Sequence, residues 1–210
     1  MATTGKLTLT TFVTLDGVMQ APGAPEEDPS GNFKQGGWLV PYFAPDMGEI
    51  VDKAFAQADA FLLGRRTYDI FAAYWPRVTD PKNAVAAALN RLPKYVASRT
   101  LAKADWHNST VIRGDVAREV AELKRRHPRE IQVHGSGDLV QTLLTNDLVD
   151  EFRLWLFPVV LGTGKKLFAS GSVPAALQLV TSNTTSTGVV VSNYRRAGKP
   201  TYGSFALDSA

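Results

Sequence analysis

Three short stretches carry residue types suited to holding phosphate: Gly64-Arg65-Arg66-Thr67, Ser98-Arg99-Thr100 and Gly135-Ser136-Gly137. Each follows a run that reads as a strand, and the first and third lead into apolar residues at helical spacing. The start of a helix exposes backbone N–H groups and the positive end of its dipole, so it attracts anions. Glycine lets the backbone approach a ligand closely, a hydroxyl adds a donor, and arginine adds a fixed forked charge. The turn at 135–137 suits a pyrophosphate, because successive N–H groups can wrap it. Ser98 with Arg99 lacks a glycine and suits a monoester phosphate. Taken singly, each stretch also fits an ordinary strand-to-helix turn with solvated arginines. In an open parallel sheet, however, ligands sit at the carboxyl ends of strands, and together the three describe a dinucleotide lying across that edge.

Other chemistries are excluded or weakened. The chain has no cysteine, which removes disulfides, thiol catalysis and thiolate metal sites. His107, His127 and His134 share no ligand spacing, so no metal is expected. Gly135-Ser-Gly137-Asp-Leu-Val lacks the third glycine of the dinucleotide fingerprint, and Gly162-Thr-Gly164-Lys165-Lys166 lacks the upstream glycine and the hydroxyl of a P-loop. There is no Gly-x-Ser-x-Gly elbow and no His-Glu-x-x-His pair. A net charge of +3 suits an anionic small molecule better than nucleic acid. The densest basic cluster, Lys124-Arg125-Arg126-His127, ends a predicted helix, where it complements the dipole. With 210 residues, 44% of them hydrophobic and 20% charged, one globular domain spanning 1–210 is expected. The beginning of the chain has no basic segment leading into an apolar stretch, and no apolar run is long enough to cross a bilayer. A cytoplasmic location is expected.

The elements that must position these residues follow from periodicity. Residues 6–15 alternate apolar residues with threonine and end at Asp16-Gly17, a strand and its turn. From Val18 to Pro45 Gly, Pro and acidic residues dominate, with Phe33, Trp38, Tyr42 and Phe43 among them. So long a loop inside a domain reads as an ordered, pocket-lining segment or as a surface insertion. Asp46 reads as the cap of a helix carrying Met47, Ile50, Val51, Ala54 and Phe55 inward. Strands ending at 63, 99, 113 and 134 then alternate with helices, and 177–184 pairs with 188–195 as an antiparallel hairpin. The fold class is α/β: a mixed, mostly parallel central sheet flanked by helices in three layers, with a C-terminal antiparallel hairpin.

The Leu-Asp-Gly closing the first strand, Leu-Leu-Gly-Arg-Arg-Thr-Tyr, Val-Ala-Ser-Arg-Thr-Leu, His-Gly-Ser-Gly-Asp-Leu, and Leu148-Val-Asp150-Glu151 leading to Phe157-Pro158-Val-Val-Leu-Gly162-Thr-Gly164 occur in this order. The ordered set resembles the RibD C-terminal-domain family, which shares the dihydrofolate reductase fold. Met19-Gln-Ala-Pro-Gly-Ala-Pro with Gly36-Gly37-Trp38 resembles its stand-alone bacterial branch. The resemblance implies an NADPH-dependent reductase acting on a small pteridine-like or ribosylaminopyrimidine-like substrate, as in riboflavin biosynthesis. It implies cofactor contacts at Gly64, Arg65, Arg66, Thr67, Ser98, Arg99, Gly135, Ser136 and Gly137. It also implies a substrate pocket between the first strand and first helix, where Asp16, Trp38 and Asp46 converge. Each of these three has a structural alternative: a turn residue, a hydrophobic plug and a helix cap. A non-catalytic nucleotide-binding module and a dihydrofolate or flavin reductase are the alternatives. Asp150 and Glu151 read as a capping or interface pair. By analogy the chain forms a homodimer through the apolar strand from Phe152 to Val160 and the terminal hairpin.

Overall fold

The alternation in the first strand sends Leu7 and Leu9 to one side of a sheet and Thr8 and Thr10 to the other, and all four are buried. A strand buried on both faces belongs in the middle of a layered fold. The structure, a computed structural model, describes residues 4–169 and 172–205. Among them are strands β1 (Lys6–Thr14), β2 (Ala58–Gly64), β3 (Lys94–Ala97), β4 (Ser109–Ile112), β5 (Glu130–His134), β6 (Glu151–Phe157), β7 (Leu177–Thr184) and β8 (Val190–Arg196). Helices α1 (Pro45–Phe55), α2 (Arg65–Tyr74), α3 (Ala84–Arg91), α4 (Val116–Arg126) and α5 (Gly137–Thr145) connect or flank them. The strands form one sheet in the order β4-β3-β2-β5-β1-β6-β8-β7. The first six are parallel, and β8 and β7 continue the sheet antiparallel. This is the expected fold class.

Leu7, Leu9, Ile131 and Val133 pack under Val120, Leu123, Val140 and Leu143 of α4 and α5. On the opposite face Phe61 and Leu63 meet Phe55 of α1, Tyr68 of α2 and Leu89 of α3. Burying side chains of this size, at about 1.5–3 kcal/mol each, holds the layers together. Asp150 and Glu151 are structural: Asp150 accepts from the backbone N–H of Leu7 at 2.7 Å and pairs with Lys124, while Glu151 takes Lys6 at 2.6 Å.

The segment 18–45 is ordered and its residues 19–22, 27 and 28 line a cavity, as expected of a pocket-lining loop, while Phe33, Trp38 and Tyr42 pack into a cluster with Met47, Trp155 and Phe157. Two expectations are corrected. Pro45 occupies the first helical position of α1 and Ala44 is its cap, so Asp46 falls inside the first turn. Strand β6 lies between β1 and β8, so its backbone cannot pair with a second copy; the sheet ends on that side at β7. No helix among the described residues is long and apolar enough to cross a membrane.

Candidate functional site

At the carboxyl ends of β2 and β5 two helices begin almost in contact. The backbone N–H of Gly64 donates to Ser136 Oγ at 2.8 Å, the N–H of Ser136 donates to Thr67 Oγ1 at 2.9 Å, and Ser136 Oγ–H donates to the carbonyl of His134 at 2.8 Å. These bonds lock the turn before α2 against the turn before α5. They need glycine at 135, which has φ +49° and whose Cβ would stand 3.2 Å from Thr67 Oγ1. Neither helix has a side chain capping its first turn. The first-turn N–H groups of both therefore remain free for an anion, with both dipoles positive there. A Cβ on Gly137 would meet no atom within 4 Å, so the start of α5 is open.

Both helix starts line a cavity of about 800 Å³ that runs along the sheet edge. Residues 64–67, 98–99 and 135–137, from all three predicted junctions, lie on its wall. It reaches from Arg113, Gly114 and Asp115 after β4 to Thr10, Thr11 and Phe12 of β1. By strand order β3 and β1 are three spacings apart, roughly 14 Å.

The two ends differ in charge. At the β3 end Arg99 is exposed and, among the described residues, has no protein partner. Beside it Ser98 Oγ accepts from the N–H groups of Thr100 at 3.3 Å and Leu101 at 3.0 Å, which leaves its hydroxyl proton to donate outward. Arg113 is fixed on the carbonyls of Leu101 and Ala102 at 2.8 and 2.7 Å. The start of α4 is already filled, because Asp115 accepts from Ala117 and Arg118. At the β1 end the wall comes from the long loop, with Met19, Gln20, Ala21, Pro22, Glu27 and Asp28. Asp28 takes both Arg66 and, at 2.8 Å, Lys165. Burial pushes its carboxyl up, but bonds from Lys165, Ser30 and Arg66 outweigh that and hold it at about 2. Gln20 Nε2 donates to the carbonyls of Asp28 and Ser30, and its Oε1 accepts from the N–H of Lys165. The loop is thus sewn to α2 and to the turn after β6. Burial raises Glu27, whose carboxylate accepts from the N–H groups of Gly23 and Ala24.

His134, the last residue of β5, is 7% exposed and lines the same cavity. Its ring stacks on Phe55 at 4.9 Å. Gln132 Nε2 donates to the carbonyl of Ala54 and to Glu130 Oε1, so Gln132 Oε1 faces His134 Nε2 at 2.9 Å as an acceptor. Glu130 is paired in turn with Arg153 at 3.1 Å. Burial, with the Arg153 charge nearby, pushes His134 down to about 3. The imidazole is therefore neutral, with its proton on Nε2, and Nδ1 is an acceptor with no bond to protein among the described residues.

The remaining predicted site residues lie elsewhere. Asp16 accepts from Thr14 Oγ1 at 2.6 Å and from the N–H groups of Leu161 and Gly162 at 3.2 and 2.8 Å; these bonds, the Thr14 hydroxyl first, hold its carboxyl at about 2. It clamps the turn after β6. Trp38 is 7% exposed, donates Nε1–H to the carbonyl of Gln20 at 2.7 Å, and packs edge-on against Phe157. Asp46 accepts from the N–H of Ser186 at 2.6 Å and from its hydroxyl at 3.1 Å, tying α1 to the hairpin turn. None of the three lines the cavity. Arg65 does line it, but with its guanidinium on Asp69 of its own helix at 2.8 Å. Sequence reasoning missed Gln20, Asp28 and Lys165. It passed over His134, although that histidine ends a strand directly before a glycine turn.

The model of the RibD C-terminal domain matches residues 5–191. The uncharacterised protein YyaP of Bacillus subtilis (strain 168) is 33% identical over 187 residues, covering 88% of this chain and 92% of that protein. Among solved structures, a protein of Shewanella sp. PV-4 provisionally named for riboflavin biosynthesis matches with a TM-score of 0.69 at 21% identity, over 91% of this chain and 99% of that one. The dihydrofolate reductase of Enterococcus faecalis, complexed with NADP(H) and RAB-propyl, matches with a TM-score of 0.58 at 12% identity, over 93% and 99%. The fold is dihydrofolate-reductase-like.

Proposed function

The chain belongs to the RibD C-terminal-domain family, and from that premise we propose that it is an NADPH-dependent reductase acting on a small pteridine-like or ribosylaminopyrimidine-like substrate. The observation that carries this reading is the meeting in one cavity of two uncapped helix starts and an arginine without a partner among the described residues. The NADP(H) complex of the structurally similar dihydrofolate reductase supports it.

The residues fit such a cofactor. The first-turn N–H groups of α2 and α5 would hold the pyrophosphate, and the open space at Gly137 leaves room for its approach. Ser98 and Arg99 would hold the adenosine 2′-phosphate. A bound dihydronicotinamide supplies the hydride. The protein's part is to position the reactants and exclude water, with Thr10, Thr11 and the loop residues Met19–Pro22 around the acceptor. Titration with NADPH, followed by cofactor fluorescence, tests the reading; no saturable change at high micromolar cofactor would remove it.

A dimeric nucleotide-binding module without turnover is the second reading, favoured by the absence of Asp16, Trp38 and Asp46 from the cavity wall. NADPH binding with no oxidation across pterins, flavins and ribosylaminopyrimidines would select it. For assembly, Leu179 and Val180 on the edge strand β7 are 52% and 56% exposed. An exposed apolar edge favours pairing with a second copy, and light scattering at the mass of two chains is the expected result.

A further inference from the structure

The charge balance along the cavity carries the reductase reading one step further, to the class of its substrate. Resting on that reading, we propose that the β1 end of the cavity accepts an uncharged ring that carries no phosphate. The cations lining this end are Arg66 and Lys165, and both are already committed to Asp28. Asp28 is 9% exposed, and each of its oxygens is used: Oδ1 by Arg66 and, at 2.6 Å, by the Ser30 hydroxyl, and Oδ2 by Lys165. A substrate phosphate would have to share both cations with this fixed carboxylate and lie against it as a like charge. Glu27 brings a second carboxyl to the same wall. The contrast with the β3 end is internal to one cavity, since Arg99 there has no partner among the described residues.

Apart from the carboxyl groups of Asp28 and Glu27 and the two cations held by Asp28, the groups that can meet a substrate at the β1 end are uncharged. His134 offers a neutral Nδ1 acceptor, suited to a ring N–H or amino group, and Met19, Ala21, Pro22 and Phe71 supply apolar surface. A substrate of the ribosylaminopyrimidine type would therefore be taken as the dephosphorylated riboside.

The test compares ribose 5-phosphate with ribose on the folded full chain carrying saturating NADP+, which fills the cofactor phosphate sites. The readout is the amide ¹⁵N shifts of Gln20 and Lys165. Wild type is expected to show no saturable shift with ribose 5-phosphate into the millimolar range. Asp28→Asn keeps the shape but frees Arg66 and Lys165, and should tighten ribose 5-phosphate by at least ~10-fold relative to wild type, with no gain for ribose. Saturable ribose 5-phosphate binding to wild type at these amides overturns the proposal, and so does a folded Asp28→Asn that gains nothing. If Asp28→Asn fails to fold, the wild-type titration decides alone. The reductase premise is read separately, from NADP+-induced shifts at Gly64 and Ser136. Their absence removes the premise, and the phosphate titration, repeated without cofactor, still reports on the charge balance.

Discussion

Replacing Arg99 with alanine should separate NADPH from NADH. Arg99 lines the β3 end of the cavity beside Ser98 and, among the described residues, has no protein partner. Its removal breaks no bond in the free protein, so the folding free energy should change by no more than ~0.5 kcal/mol. A charge-assisted contact to phosphate is worth about 1.5–3 kcal/mol. Because Arg99 is exposed, solvent and salt screen it, and the lower figure applies: about 1.5 kcal/mol, or roughly a 10-fold rise in Kd for NADPH. NADH lacks the 2′-phosphate, so its Kd should hardly move. The assay is cofactor fluorescence titrated at fixed ionic strength for both dinucleotides and both proteins. Raising the salt should narrow the wild-type preference for NADPH. Equal weakening of the two cofactors, or none, would refute the placement of the phosphate at Arg99.

Other expectations follow from the same geometry. Gly137→Ala places its Cβ in open space, so thermal stability should hold or rise by about 0.4–1 kcal/mol while NADPH binding weakens; unchanged binding in a melting and titration pair would count against a pyrophosphate at α5. Gly135→Ala should lower both stability and binding, because a left-handed alanine costs about 1–2 kcal/mol and its Cβ crowds Thr67. Trp38→Ala should cost about 3–5 kcal/mol as a core deletion, with Trp38→Phe recovering most of it and keeping cofactor affinity; a loss of cofactor affinity with stability intact would restore a pocket role. For pH, Asp28 is held at about 2, below its ordinary 3.8. A depressed carboxyl contributes stability that is present above the ordinary value and lost as pH falls toward the folded one. The loop amides of Gln20 and Ser30 should therefore shift between about pH 4 and 2, and Asp28→Asn should be flat over that window.

The three junctions on the cavity wall were legible because each is local: a strand end is followed within four residues by a glycine or hydroxyl, and at the first and third a helix starts there as well. Their meeting in one cavity follows from parallel strands, which bring their carboxyl ends to one edge. The β1 end was not legible, because it is assembled over distance. Lys165 and Asp28 are 137 residues apart in sequence, and the loop that joins them has no periodicity to read. Asp46 was misplaced by two positions, since Ala44 is the cap and Pro45 begins the helix, which makes Asp46 a first-turn acid that reaches Ser186. For Trp38, sequence offers either a plug or a stacking wall. Packing against Phe157 and the Nε1–H bond to Gln20 decide for the plug. His134 was hidden by its alternating strand, whose buried polar row is visible only once Arg153 of β6 is set beside Glu130.

Three separate strand ends line one groove, which the reductase reading assigns to a dinucleotide carrying a pyrophosphate and a 2′-phosphate. A crystal structure with NADP+ tests it most directly. The pyrophosphate is expected at the first turns of α2 and α5, between Gly64–Thr67 and Ser136–Gly137, with the 2′-phosphate on Ser98 and Arg99. Saturating NADP+ bound on another face, or no dinucleotide density in this cavity, would contradict it.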